Sequence, residues 1–216
     1  MTLRASLTGL RKVLGRIRRQ FALDAFDVFT RQVAPEHREF SAPDGYRFAW
    51  ATPEDIAGCE LEHTELDERD RELGVERLGI DHRCVVAKAG ERVVFSMWMN
   101  PRNLNVPGEV KRRLGSHQAF IYKAYTSPDH RGRRLYIAGM AFVLAHLARE
   151  GKTELVGYAH VKKQISRKGL DALGFGSAGR YHSWKVLGWQ HTFVSATLSA
   201  RFPEVVARSQ PKQTPR

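Results

Sequence analysis

An apolar strand, a basic turn and an apolar helix follow one another without interruption in the middle of this chain, and they constrain its fold more than any other feature. Residues 117–126 are mostly aromatic and apolar, which predicts a strand. Residues 127–134 contain a proline, a glycine and three arginines, which predicts a turn. Residues 135–149 carry apolar side chains on most faces and predict a largely buried helix. The chain therefore has to form layers in which helices cover a sheet.

The rest of the sequence continues this alternation of strand and helix patterns. Further strands are predicted at 46–52, 83–89, 92–100, 154–159, 181–187 and 191–195. Further helices are predicted within the acidic stretch 52–79 and at 161–173. Residues 101–115 contain two prolines and two glycines and predict a loop. We expect an α/β fold with a central mixed, twisted sheet and helices on both of its faces.

The distribution of charge, proline and glycine predicts three parts. Residues 1–45 form a basic amphipathic helix and a linker, residues 46–198 the folded domain, and residues 199–216 a basic, frayed tail. The helix is predicted from an apolar stripe with arginines on the other faces: Leu3, Leu7, Leu10, Leu14, Ile17 and Phe21. Such a helix can lie on an anionic membrane, pack on the domain or pair with another helix.

The net charge of +12, from 35 basic and 23 acidic residues, is unevenly distributed. Residues 54–77 hold ten acidic and three basic side chains, so this segment carries −7 and the rest of the chain +19. A protein that only binds a polyanion has little use for an acidic segment. The sequence also contains no helix-turn-helix, zinc-finger or ribonucleoprotein motif, so a nucleic-acid partner is not expected.

The cysteines and the hydropathy exclude further classes. Cys59 and Cys84 stand in no metal-ligand spacing and cannot build a disulfide framework, so we expect no metal and a reducing, cytoplasmic location. No apolar run approaches the roughly 20 residues that span a bilayer. Peripheral membrane contact through residues 1–20 stays open. No pattern in the sequence predicts an oligomeric state.

The basic turn has the chemistry of a phosphate site. A helix that starts at Leu135 offers unpaired backbone N–H groups and the positive end of its dipole, which together hold a pyrophosphate. Gly132 lets the backbone approach an anion closely. Arg131, Arg133 and Arg134 add attraction and bidentate contacts.

The turn reads Pro128-Asp129-His130-Arg131-Gly132-Arg133-Arg134-Leu135 and resembles the cofactor-binding motif of the GNAT superfamily, the GCN5-related N-acetyltransferases. That motif, Arg/Gln-x-x-Gly-x-Gly/Ala, follows the central strand of the family. The segment Gly169-Leu170-Asp171-Ala172-Leu173-Gly174-Phe175 resembles the family's helix that ends in Gly-Phe. The order of predicted elements matches the family from about residue 46 to 195.

The resemblance implies that acetyl-CoA, or another acyl-CoA, binds in a V-shaped gap between the fourth and fifth strands of the family fold. Backbone amides of the motif would hold the pyrophosphate, and residues 125–127 would contact the pantetheine arm and the thioester carbonyl. The cofactor-binding residues implied here are Thr126, Ser127, Arg131, Gly132, Arg133, Arg134, Leu135 and Tyr136. An amine would attack the carbonyl directly.

Four positions depart from the family pattern. Arg134 replaces the motif's first small glycine and Tyr136 its Gly or Ala. Leu170 stands where many members have the tyrosine that protonates the leaving thiolate, and Lys163 where an asparagine is often found. Arg134 either points to solvent or grips a cofactor phosphate, and the neighbouring arginines favour the second reading.

Three residues are candidate catalytic groups. His160 ends the predicted strand beside the cleft, although a lone histidine there is more often a plain surface group. Tyr125 shares a face of the central strand with Lys123. Glu62 lies in the acidic segment that lines the acceptor side in the family, although most acidic residues of this segment are better explained as a solvated helix face with intrahelical pairs. Tyr158 and Tyr181 are further candidates for the thiolate acid.

The function implied is transfer of acetyl from acetyl-CoA to a primary amine. A variant uses a longer acyl-CoA, or an acceptor amine linked to a lipid or glycan at a membrane. An alternative from another class is a degenerate GNAT fold that binds CoA or acts as an interaction module without catalysis.

Overall fold

The computed structural model describes residues 21–59, 68–106, 110–186 and 189–206. The predicted N-terminal helix at residues 1–20, the candidate Glu62 and residues 207–216 of the tail lie outside the described residues.

Strands and helices alternate along the chain as the sequence predicts. The strands are β1 (Phe21–Gln32), β2 (Arg47–Trp50), β3 (Arg83–Ala89), β4 (Arg92–Asn100), β5 (Asn103–Val106), β6 (Val110–Arg113), β7 (Gln118–Thr126), β8 (Glu154–His160), β9 (Gly176–Val186) and β10 (Trp189–Val194). The helices are α1 (Pro53–Ala57), α2 (Glu68–Gly79), α3 (Leu135–Arg149), α4 (Gln164–Ala172) and α5 (Ala196–Arg201).

Eight strands form one sheet in the order β10-β9-β1-β8-β7-β4-β3-β2, and β5 and β6 form a separate hairpin. Strands β7 and β8 are parallel, and the other neighbouring pairs of described strands are antiparallel. The predicted mixed sheet is therefore confirmed.

Helices cover both faces of this sheet, as predicted. Apolar residues of α3 and α4, such as Val143 and Leu170, pack in one core with alternate residues of β3, β4, β7 and β8. On the other face, Leu198 of α5 and Leu104 of the β5–β6 hairpin cover Phe120 and Val156. Ile56 of α1 packs there against Trp98 of β4.

Strand β1 corrects the predicted start of the folded domain. The sequence pattern predicts that start at residue 46, whereas β1 lies inside the sheet between β8 and β9. Its strand pattern is concealed because Asp27 interrupts the apolar alternation. Asp27 is buried, and it is paired with Arg167 of α4 and Arg180 of β9, which is a partnership that only the tertiary structure creates.

Two segments predicted to be irregular are ordered. Residues 103–106 and 110–113 of the predicted loop pair as the β5–β6 hairpin. The start of the tail is also held, because Phe202 is fully buried and Val205 forms a β-bridge with Arg112. No helix within the described ranges combines the length and the apolarity needed to cross a bilayer.

Candidate active site

Strands β7 and β8 pair over only three residues each and then separate. Gln118–Phe120 are in register with 154–156, and no pairing follows toward Thr126 and His160. The separation coincides with a bulge, because the register between β4 and β7 shifts between Ser96 and Trp98. Lys123, inside this bulge, has a φ of 48°. A bulge bends its strand and increases its twist, which opens a gap at this point in the sheet.

The gap widens into a cleft of about 610 Å³. Its walls include Thr126 of β7, Tyr136 of α3, Leu170 of α4 and His160 of β8. Tyr122 and Tyr158 line it as well. Of the sequence-predicted binding and catalytic candidates, Thr126, Tyr136, Tyr158 and His160 therefore meet in one cavity.

The loop between β7 and α3 presents backbone N–H groups at the end of this gap. A 3-10 turn, Pro128–His130, is followed by two residues with left-handed backbone, Gly132 at φ 77° and Arg134 at φ 59°. The carbonyl of Arg134 accepts the N–H of Ala138, which is the first backbone hydrogen bond of α3. The N–H groups of residues 135–137, in the first turn, therefore have no acceptor within the helix. Residues 131–134 are exposed, and a Cβ added to Gly132 would meet nothing within 4 Å.

Two contacts that the sequence analysis missed hold this loop. The Tyr46 hydroxyl lies 3.0 Å from His130 Nδ1, and Arg131 Nε donates to the Thr126 carbonyl at 3.3 Å. No sequence signal joins Tyr46 to His130, since 84 positions separate them. Arg131 thereby bonds back along the loop, although the residue remains exposed.

The backbone at the end of β7 is partly engaged in the sheet. The Ser127 N–H donates to the Val94 carbonyl at 2.8 Å, so it faces β4. Because backbone groups of successive strand residues alternate between edges, those of Thr126 face the gap. Tyr125 is half-buried, pairs with Ser96 and is not among the cleft's lining residues. Leu135 is buried in the core, so only its backbone can reach a ligand.

His160 has both ring nitrogens engaged. Its Nδ1 accepts the N–H of Lys162 at 3.0 Å, and its Nε2 lies 3.2 Å from Asp24 Oδ1. A neutral ring satisfies both contacts when the proton is on Nε2. The ring therefore has no free lone pair in this arrangement.

The other candidates for the thiolate acid occupy different surroundings. Tyr181 is fully buried, while Tyr158 lines the cleft. Tyr136 lies against α4, where a Cβ on Gly169 would be 3.9 Å from its ring. Burial raises the pKa of Tyr136 to about 12, so its hydroxyl is a hydrogen-bond donor at neutral pH. Leu170 is buried in the core beneath it.

A network on the other wall was not predicted from the sequence. Tyr122 Oη lies 2.5 Å from His82 Nδ1, and Asn100 Nδ2 lies 3.0 Å from His82 Nε2. These residues come from β7, from the turn before β3 and from the end of β4, which is why no local motif indicates them.

No family model matches the chain, and no curated protein matches it. Several solved structures, by contrast, resemble the chain. A protein from Novosphingobium aromaticivorans named for the GNAT acetyltransferase family has a TM-score of 0.53 at 13% identity, over 76% of this chain and 64% of that one. A tandem GNAT protein from the clavulanic acid biosynthesis pathway has a TM-score of 0.52 at 17% identity, over 80% of this chain and 54% of that one. The chain has the GNAT fold.

A conserved protein of unknown function from Staphylococcus epidermidis also matches, with a TM-score of 0.50 at 12% identity, over 81% of this chain and 66% of that one. The chain thus spans two thirds or less of the length of these three structures. At such identities the likeness concerns the GNAT fold alone.

Proposed function

We propose that the protein is an acyl-CoA-dependent N-acetyltransferase that transfers acetyl from acetyl-CoA to a primary amine. One observation carries the proposal: the parallel strands β7 and β8 separate directly in front of a basic loop and the N-terminus of α3. The gap suits a long, thin thioester arm, and the loop suits the pyrophosphate to which that arm is attached.

Each part of the cofactor has a matching part of the cleft. The N–H groups of residues 132–136 would hold the pyrophosphate, with Arg133 and Arg134 neutralising its charge. Thr126 would hydrogen-bond the pantetheine arm through its backbone, because that backbone faces the gap. Ser127, by contrast, would contribute to the shape of the turn, since its N–H is already bonded to Val94.

The reaction needs no covalent enzyme intermediate. The amine nitrogen attacks the thioester carbonyl, the C–S bond breaks, and the products are an amide and free CoA. The amine loses one proton and the thiolate gains one. His160 is our candidate for the first proton transfer, with Glu62 and Tyr125 as alternatives. It can act as a base only if its ring gives up the bond from the Lys162 N–H, because that bond occupies the lone pair of the neutral ring. For the second proton transfer, the candidate is Tyr136 of α3, which lines the cleft and would replace the tyrosine that is missing at position 170.

Binding of acetyl-CoA tests the proposal. In isothermal titration calorimetry we expect the wild type to bind acetyl-CoA and Gly132→Trp to lose binding, because the indole would occupy the space above the loop. Gly151→Trp is the matched control. Gly151 has a φ of 74° and equally open surroundings, but it lies at the far end of α3, so this variant should bind as the wild type does.

Failure of the wild type to bind acetyl-CoA would refute the proposed function. Binding without release of free CoA in the presence of any amine would instead support a non-catalytic CoA-binding module. Tighter binding of a longer acyl-CoA than of acetyl-CoA would shift the proposal to a different acyl donor.

A further inference from the structure

Aromatic rings form a continuous wall along the side of the cleft that faces away from α3. Phe120 stacks on Tyr122 and on Tyr158, with ring centroids 5.7 Å apart in both pairs. Tyr158 contacts Phe26 at 5.8 Å, and Phe26 contacts His160 at 4.9 Å. Four of these five rings line the cleft, all except Phe120. Such a wall favours the apolar framework of an organic amine.

The orientation of Asn100 at one end of this wall is fixed by its backbone neighbours. Its Oδ1 accepts the N–H groups of Arg102 at 2.9 Å and of Asn103 at 3.0 Å. The amide nitrogen must therefore be the atom that faces His82 Nε2 at 3.0 Å. Because an amide nitrogen only donates, His82 Nε2 accepts and carries no proton.

This arrangement determines the tautomer of His82. With Nε2 unprotonated, the neutral ring carries its proton on Nδ1 and donates it to Tyr122 Oη. A second proton on His82 would lie on Nε2 and point at the amide nitrogen of Asn100, which is itself a donor. Burial, with the positive charges of Arg77 and Lys111 nearby, lowers the pKa of His82 and favours the same neutral form.

Tyr122 consequently keeps its own proton for another partner. Its oxygen accepts from His82, and no acceptor for its O–H is present among the described residues. Burial raises the pKa of Tyr122, so it remains a neutral donor across the physiological range. The wall thus ends in one oriented hydroxyl that can donate a hydrogen bond to a ligand.

We propose that Tyr122 selects the acceptor: the amine substrate carries a hydroxyl, ether or carbonyl oxygen that takes the hydrogen bond of Tyr122, while its apolar framework lies on the aromatic wall. His82 and Asn100 are positioning residues that orient this hydroxyl, and His82 is not the general base. This inference rests on the proposed acetyltransferase function and names the substrate class of the same cleft.

The test compares amines that differ by one oxygen. Initial rates of CoA release are measured with cyclohexylamine, 4-aminotetrahydropyran and 2-aminocyclohexanol. For the wild type we expect kcat/KM to be about tenfold higher for at least one oxygenated amine, the size expected for one well-placed hydrogen bond. Tyr122→Phe should remove this preference, so that the oxygenated amines and cyclohexylamine give kcat/KM values of similar size.

The outcomes separate this inference from the proposed function. Absence of acetyl-CoA binding would remove both. Acetyl-CoA binding with turnover of none of these amines, with no preference among them, or with an unchanged preference in Tyr122→Phe would overturn the acceptor site alone. Circular dichroism of the variant shows whether it folds.

A pair of His82 variants tests the positioning role. A glutamine can donate to Tyr122 and accept from Asn100, whereas a leucine can do neither. We expect His82→Gln to keep the preference and the pH profile of kcat/KM, and His82→Leu to lose the preference as Tyr122→Phe does. If His82→Gln lowers turnover of all three amines alike and removes the ascending limb of the pH profile, His82 is a base and the inference is wrong.

Discussion

Three residues other than glycine have positive φ angles in the described part of the chain, and all three lie beside the cleft or its hydrogen-bonded network. Asp81, at 69°, precedes His82; Lys123, at 48°, follows Tyr122; Arg134, at 59°, is the N-cap residue just before α3. A left-handed backbone costs a residue that has a Cβ roughly 1–2 kcal/mol. The strain is therefore concentrated where the site is built, as is usual for functional sites.

Arg134 allows the cost of this conformation to be measured. We expect Arg134→Gly to raise the free energy of unfolding by up to about 1 kcal/mol, because the relief of strain exceeds the added entropy of the unfolded chain. Arg133 has no positive φ, so Arg133→Gly should lower the free energy by about 0.5 kcal/mol. Urea denaturation measures both. A stability loss in Arg134→Gly equal to that of Arg133→Gly would contradict the strain argument.

The same pair shows whether Arg134 binds the cofactor. If its guanidinium contacts a phosphate, Arg134→Gly weakens acetyl-CoA binding while it stabilises the fold.

His82 links stability to pH. Burial, Arg77 and Lys111 lower its pKa, while Asp81 acts in the opposite direction. A histidine whose folded pKa lies below its unfolded value of about 6.5 stabilises the protein above that pH. That stabilisation is lost as the pH falls toward the folded pKa.

We therefore expect the free energy of unfolding to fall more steeply between about pH 7 and pH 5 in the wild type than in His82→Gln. Glutamine retains the contacts with Tyr122 and Asn100 but does not titrate. Equal slopes in urea denaturation at several pH values would show that the ring is not held neutral.

At the scale of elements, the position of α3 on the sheet decides where its N-terminus meets the gap. Gly139 allows the close approach of this helix to β4, because a Cβ there would lie 2.4 Å from Cε1 of Phe95. Phe95 is fully buried and packs with Phe48, so the ring has little room to move.

We expect Gly139→Ala to lower the free energy of unfolding by about 1–3 kcal/mol, although alanine is the better helix former. Gly79 at the end of α2 has nothing within 4 Å of an added Cβ, so Gly79→Ala is the matched control and should be neutral or stabilising. Thermal denaturation distinguishes the two. A neutral Gly139→Ala would mean that α3 can shift without loss.

At the scale of the whole molecule, the central position of β1 decides which part of the chain can fold. Strand β1 pairs with β8 on one edge and with β9 on the other, so it joins β9 and β10 to the rest of the sheet. Removal of β1 would expose two strand edges and the cores on both faces.

We expect a chain that begins at residue 21 to unfold cooperatively and a chain that begins at residue 46 to fail to fold. Circular dichroism with thermal denaturation measures this. Cooperative unfolding of the chain that begins at residue 46 would restore the domain boundary expected from the sequence.

Much of the fold can be predicted because its signals are local. The β3–β4 hairpin about Gly90, the apolar helix α3 and the turn before it each appear as a pattern within a few consecutive residues. Strand β1 and the β5–β6 hairpin escape prediction. Asp27 is compatible with a buried strand only beside Arg180, and the prolines that flank β5 read as a loop.

By itself, the sequence determined that helices cover a mixed sheet and that a basic turn precedes the N-terminus of α3, because periodicity and turn chemistry are properties of neighbouring residues. Only the tertiary structure decided how the cleft is lined. It brings Tyr122, His82 and Asn100 into one network and engages both nitrogens of His160. Hydrogen-bond partners and protonation states depend on groups distant in sequence, so they arise only when the strands are assembled.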